Sequence, residues 1–349
     1  MGTANGSAKS NRIPTLDGWR GVAILLVCIN HLQAGLQHNF YVGGYLLDLG
    51  IHGVEIFFVL SGYLITSRLL SEERINLPVF YLRRFFRLMP CAWVYLFTIV
   101  LLSSLTHLKL IGEDLPACIF FYRNYFPAHE STSNALTSHF WSLSIEEQFY
   151  LVWPILLASL RKRRALLISI LTIILIAIYR IAFWNLYTHQ LSPLRTEVRA
   201  DALLIGCCLA ILVENDLFRF SLRRHSITIM AICFPALLGF IYRFHGLLPV
   251  TESIVIALLL GSTSLNPSST VGRILDWQHL RFLGTISYSL YIWQELFLIP
   301  HWGLIGPAFL PATALLSWLL IERPFRRIGY KVSQRLTANQ SSQALESEI

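Results

Sequence analysis

The chain has 349 residues, 54% of them hydrophobic and only 14% charged, with a net charge of +8 and a mean hydropathy of +0.55. Soluble domains carry about 25% charged residues, so a water-soluble globule is excluded. An aromatic content of 13% with only 20 Gly and 14 Pro also excludes disordered and collagen-like chains. What remains is a polytopic membrane protein.

Taken from the N-terminus, Lys9 and Arg12 precede the first apolar stretch, but no small-residue cleavage motif follows it. An uncleaved first helix is therefore expected rather than a signal peptide. Charge-free runs of 27 positions between Arg20 and Asp48, 21 between Arg87 and Lys109, and 26 between Glu295 and Glu322 recur along the chain. Each reaches the roughly 20 apolar residues that a helix needs to cross a bilayer. The sequence predicts an all-α, polytopic membrane helix bundle of about ten transmembrane helices. Its spans are 20–38, 49–67, 89–108, 139–160, 165–184, 195–213, 226–244, 250–267, 282–300 and 303–321. The block 115–126 is too short to cross and contains Arg123, so it reads as a re-entrant or interfacial piece. Residues 1–13 form an N-terminal tail, 14–327 the membrane domain, and 328–349 a polar tail expected to be disordered.

With the N-terminus inside, 22 of the 28 basic residues fall on inner segments, among them the run RKRR at 161–164. The positive-inside rule thus predicts that both termini are cytoplasmic. The arginines are scattered over six membrane-edge segments, which points to topology and lipid headgroups and not to nucleic acid as a partner. Six cysteines without a C-x-x-C pair read as small buried hydrophobes. No H-x-x-x-H or H-E-x-x-H occurs, so no metal site is expected.

An ionisable side chain at a span's centre costs roughly 2.5–3.5 kcal/mol and needs a reason to be there. His31, Glu55, Glu146, Glu147, Arg199, Asp201 and Glu295 are such residues; in the expected orientation they fall at mid-depth or in the outer half. Arg20, Arg84 and Arg87 lie at the cytoplasmic edge. Arg20 and His31 are eleven residues apart, which puts them about 20° from eclipsed and roughly 16 Å apart along one helix face. Asp17, at i−3 from Arg20, can hold its guanidinium. Glu146 and Glu147 are adjacent, so they point about 100° apart and form no carboxylate pair by themselves. Arginine forks suit phosphate, and an imidazole suits proton transfer near neutrality.

LDGWRG (16–21) with His31, FFVLSGYLI (57–65), YLRRFFRLMP (81–90), FWSLSIEEQFYLVWP (140–154), RADALLIG (199–206), ISYSLYIW (286–293) and IERPFRR (321–327) occur in this order. Together they resemble membrane acyltransferase family 3, over nearly the whole chain. The resemblance implies transfer of an acyl group, often acetyl, from cytoplasmic acyl-CoA to a hydroxyl of a carbohydrate or similar acceptor, in the cytoplasmic (inner) membrane. No cofactor is implied beyond acyl-CoA as donor substrate; membrane lipid is the remaining partner.

The family's R-x10-H pair falls on Arg20 and His31 and its R-x-x-R pair on Arg84 and Arg87. Its S-x-E-E-Q-F carboxylate falls on Glu146 or Glu147, and Tyr291 of ISYSLYIW belongs with the substrate-binding residues. His31 is expected to act as general base or as transient acyl carrier, with Glu146 or Glu147 orienting its imidazole. Relatives commonly carry His after the Y-x-W motif, where this chain has Gln294. The hydrolase-like domain that some members add at the C-terminus is not expected here. The alternative is a proton-coupled transporter using Glu55, Glu146 and Glu295 as a relay; it leaves the arginines and the R-x10-H spacing without a role.

Overall fold

The computed structural model describes residues 13–39, 49–106, 113–126, 136–183, 194–243, 249–298 and 305–347, and all regular structure among them is helical. The helices are α1 (Pro14–Asn39), α2 (Leu49–Leu70), α3 (Leu77–Leu105), α4 (Asp114–Ile119), α5 (Phe140–Ser159), α6 (Lys162–Ala182), α7 (Thr196–Arg199) and α8 (Asp201–Val213). They continue with α9 (Asp216–Arg224), α10 (Ser226–Arg243), α11 (Pro249–Leu265), α12 (Thr270–Leu275), α13 (Gln278–Leu298), α14 (Gly306–Ser317) and α15 (Arg323–Ser347).

Local chemistry sets several starts. Asn76 caps α3 by accepting from the Val79 amide at 3.2 Å, with Pro78 in the first turn. Asn215 caps α9 by accepting from Leu217 and Phe218, and Ser269 caps α12 by accepting from Gly272. Each cap satisfies an amide that the first turn leaves without a partner.

The outside and inside of the bundle are reversed relative to a soluble protein. Leu175, Ile178 and Ile181 of α6 are 65%, 58% and 79% exposed. Asp17, Glu55, His139, Asp201, Glu252 and Glu295 are buried. An apolar exterior around a charged interior is what hydrocarbon solvent selects. By length and hydropathy alone, three described helices can cross a bilayer, namely α2, α3 and α6; the pair α9–α10, bent by 70°, makes a fourth if counted as one.

All ten expected spans fall on helical segments, but ten as a number of crossings rests on charge spacing alone. The expected ends at 108, 184, 244 and 300, the start at 303 and the tail 1–12 lie outside the described residues. The block 115–126 folds as α4 and a 3₁₀ turn at Arg123–Tyr125, too short to cross.

Two expectations are corrected. The span 195–213 is not continuous: it breaks at Ala200 into α7 and α8. The thirteen residues of α8 reach only about 20 Å, short of a 30 Å hydrocarbon core. The break turns the charged stretch Glu197–Asp201 into a place where charges find partners. The polar tail is helical through Ser347 and not disordered. Its composition is that of a solvated segment, but tertiary contacts hold its start. Ser333 accepts from Arg83 Nε at 2.7 Å, the Arg83 guanidinium lies 5.4 Å from the Tyr330 ring, and Gly329 sits against Phe86.

Four helices form the spine. α1 runs parallel to α13, with Asp17 over Gly284 and Cys28 beside Gln294, and antiparallel to α2, with Asn30 over Gly50 and Ala23 beside Gly53. α2 in turn packs on α8 through two reciprocal glycines. A Cβ at Gly62 would fall on the Leu203 carbonyl, and one at Gly206 on the Val59 carbonyl. Small residues at such crossings let backbones approach where no hydrophobic force drives helices together.

Gly62→Ala and Gly206→Ala should each cost on the order of 1–3 kcal/mol by overpacking. Gly239, which has nothing within 4 Å of its Cβ position, should accept Ala without loss. Thermal unfolding of the three variants in detergent checks this; equal midpoints would remove the close crossing as a stabilising feature.

Candidate functional site

A cavity of about 900 Å³ opens between α1, α2, α3, α5, α13 and α15. At one end stand Arg20, Arg84 and Arg87; at the other its wall includes Ser142 and Tyr291. Arg20 sits on the first turns of α1 with its Nη1 3.6 Å from Asp17, the i−3 contact the spacing predicts. Arg84 and Arg87 project from one face of α3, three residues apart.

Arg84 is the most tightly held of the three. Its Nε donates to Glu147 at 3.3 Å, its Nη2 lies 4.0 Å from Glu146, and its guanidinium stacks 3.0 Å from the Tyr150 ring centroid. Ser61 donates to Glu146 at 2.7 Å. Although adjacent on α5, the two glutamates thus converge on one guanidinium. Arg87 differs, because its Nε is buried without a hydrogen-bond partner among the described residues. A buried guanidinium donor left open in this way is a group that an anion or water could satisfy. Glu322, in a π-helical turn at Trp318–Glu322, accepts from Ser289 at 3.1 Å and pairs with Arg326 at 3.6 Å.

At the opposite end, Tyr291 Oη lies 2.5 Å from Ser142 Oγ and donates to the His139 carbonyl at 3.1 Å. Behind Tyr291 lies a buried pair absent from the expected site. His139 Nδ1 is 2.6 Å from Glu295 Oε2, and Ser138 donates to Glu295 Oε1 at 2.5 Å. Glu295 is 0% exposed. The Tyr95 ring meets the His139 ring edge-on at 5.3 Å. His31, half-buried on α1, does not line the cavity; it lies within electrostatic range of Glu295 and His139.

The structure therefore joins Arg20, Asp17, Arg84, Arg87, Glu146 and Tyr291 around one cavity, with Glu147 on Arg84 behind it, and sets His31 apart beside Glu295. The expectation that Glu146 or Glu147 orients His31 is not met among the described contacts. Arg84 competes for both carboxylates and holds them at the arginine end.

Glu55, Arg199 and Asp201 form a separate network. Arg199 donates to Glu55 at 2.9 Å, Ser253 donates to Glu55, Arg180 donates to Asp201 at 2.7 Å, and His52 Nδ1 lies 2.6 Å from Glu252. The sequence marks Glu295 as an intramembrane carboxylate, with a role only in the transporter alternative, and gives His139 and Ser138 none. Their signal was a histidine directly ahead of FWSLS. The contact to Glu295 spans 156 residues and has no periodicity to reveal it. Among the described residues no three His, Cys, Asp or Glu side chains converge where a metal ion could sit.

Comparison with known proteins adds a family. A family model described as Acyltransferase domain matches residues 13–321. YrhL of Bacillus subtilis, named a putative peptidoglycan O-acetyltransferase, is 31% identical over 93% of this chain and 56% of that protein. The peptidoglycan O-acetyltransferase OatA of Listeria monocytogenes is 30% identical over 91% of the chain and 56% of its own length. The O-acetyltransferase OatA of Staphylococcus aureus (strain NCTC 8325) is 29% identical over 91% and 58%. The chain thus spans little more than half the length of these relatives. No solved structure matches it.

Removing Arg84 strands two carboxylates inside the bundle. Arg84→Ala should lower the thermal midpoint in detergent, at a cost of about 1–3 kcal/mol, and adding Glu147→Gln should restore part of the loss. Strict additivity of the two substitutions would mean that the contact carries no stability.

Proposed function

The chain belongs to membrane acyltransferase family 3, and from that premise we propose that it moves an acyl group, acetyl foremost, from acyl-CoA to a hydroxyl of a carbohydrate acceptor. The observation that carries this reading is the cavity's polarity, three arginines at one mouth and the His31 end beyond its far wall. Coenzyme A is rich in phosphate, and Arg20, Arg84 and the open Nε of Arg87 supply forked donors for it. On this reading the arginine mouth faces the cytosol, and the thioester reaches inward on the long pantetheine arm. Two of these relatives are named for peptidoglycan, which supports a glycan hydroxyl as acceptor.

His31 takes the proton of the acceptor hydroxyl as its oxygen attacks the thioester carbon. The C–S bond then breaks, and the thiolate of CoA leaves with the proton that the imidazolium returns. Arg84 owes its position to Glu147 and Tyr150, so these residues prepare the donor site without touching the reacting atoms. The transporter reading has less support, since Glu55 and Asp201 are each held by an arginine.

Two variants test the reading in lipid nanodiscs with labelled acetyl-CoA. His31→Ala should abolish label transfer while the protein still inserts and binds donor. Arg87→Ala should raise the apparent KM for acetyl-CoA about tenfold or more, the worth of a charge-assisted hydrogen bond. Near-normal transfer by His31→Ala would sink the role given to that residue. An unchanged donor KM in Arg87→Ala would sink the docking site.

A further inference from the structure

Glu295 is set in a way that the arginine-bound glutamates are not. His139 Nδ1 and Ser138 Oγ approach its two oxygens at 2.6 and 2.5 Å, one apiece. A carboxylate offers about four lone-pair sites, so this arrangement leaves room for a further donor. His139 Nε2 is buried with no hydrogen-bond partner among the described residues. No arginine or lysine holds Glu295 among the described contacts. Glu146 and Glu147, by contrast, share the charge of Arg84.

The helix register brings Glu295 to His31. α1 and α13 run parallel in close contact, with Asp17 over Gly284 near one end and Cys28 beside Gln294 at 3.9 Å further along. His31 is one turn beyond Cys28, and Glu295 is the residue after Gln294. Counted along this register, the two sit within about a turn of each other.

Resting on the proposed role of His31, we infer that Glu295 is the anion that serves His31 during transfer, and that Ser138 and His139 are positioning residues that hold Glu295 for it. When His31 takes the acceptor's proton, the imidazolium forms beside a carboxylate that no arginine or lysine holds, inside a low-dielectric bundle where such a pairing is strongest. The proton stays on His31 and passes to the departing thiolate; Glu295 remains ionised throughout. The titratable groups facing Glu295 are Cys28 and His31 from α1, Tyr95 from α3, Cys118 from α4, His139 ahead of α5, and Tyr291 one turn earlier on α13. Among these, only His31 and His139 are of a type that can take up positive charge.

The test compares Glu295→Gln with Glu147→Gln in nanodiscs, reading kcat/KM against pH with acetyl-CoA. A base beside an anion holds its proton to higher pH, so removing the anion must move the rising limb of the profile downward, by about one pH unit. Glu295→Gln should show that shift with an unchanged donor KM. Glu147→Gln should raise the donor KM and leave the limb in place.

A second readout needs no acyl transfer: the rate at which diethyl pyrocarbonate modifies His31, followed against pH and located by mass spectrometry. Its midpoint should fall in Glu295→Gln. If acetyl-CoA proves not to be the donor while this midpoint still falls, the pairing stands and the donor assignment fails. A limb and a midpoint that both stay put overturn the inference, as does a limb shift in Glu147→Gln of equal size. Should Glu295→Gln not fold, Glu295→Asp, which retracts the charge by one methylene, must give a smaller shift in the same direction, and no shift overturns the inference.

Discussion

A charge inside hydrocarbon must be partnered by the protein itself, and the bundle is arranged around that requirement. Its exterior is leucine and isoleucine, so lipid gives the helices no reason to associate beyond packing. Association comes from two sources that reinforce each other. Backbones close together at Gly62 and Gly206, and ionic contacts reach across helices far apart in sequence, as in His52–Glu252, Glu55–Arg199 and Arg180–Asp201. Breaking one partner of such a contact leaves the other stranded, which is far more costly than the contact is favourable. The break at Ala200 follows the same logic. A continuous helix through Glu197, Arg199 and Asp201 would carry three charges on successive faces, whereas the break lets Arg199 meet Glu55 and Asp201 meet Arg180.

Helix positions were legible in the sequence because charge-free runs are a local signal. So was the arginine mouth, since Arg84 and Arg87 share a helix face and Asp17 lies one turn from Arg20. What periodicity could not supply was partnership. Glu146 and Glu147 carry a motif that suggests chemistry, but whether they serve Arg84 or His31 depends on how α5 sits against α3 and α1. No spacing within either segment encodes that. His139 and Glu295, 156 residues apart, are invisible for the same reason. The C-terminal helix shows the converse error. Composition measured its polarity correctly and missed that Gly329, Tyr330 and Ser333 anchor it to α3.

The two ends of the cavity handle charge by opposite rules. At the arginine end, Arg20 pairs with Asp17 and Arg84 with Glu146 and Glu147, yet the open Nε of Arg87 shows that the protein does not supply every acceptor itself. Such a donor is one that an anion or water could satisfy. Behind the far end, Glu295 is held by Ser138 and His139 and by no arginine or lysine among the described contacts.

Tyr291 stands between them, its ring against the cavity and its hydroxyl tied to Ser142 and to the carbonyl of His139. The same side chain therefore shapes the path from the mouth and fixes the backbone that carries the histidine. On the proposed reaction this separation has a consequence. Phosphates are bound where positive charge is fixed and static, while the proton moves roughly 16 Å deeper, next to a carboxylate that no arginine or lysine holds. Binding strength and basicity are thereby set by different residues, and each can change without the other.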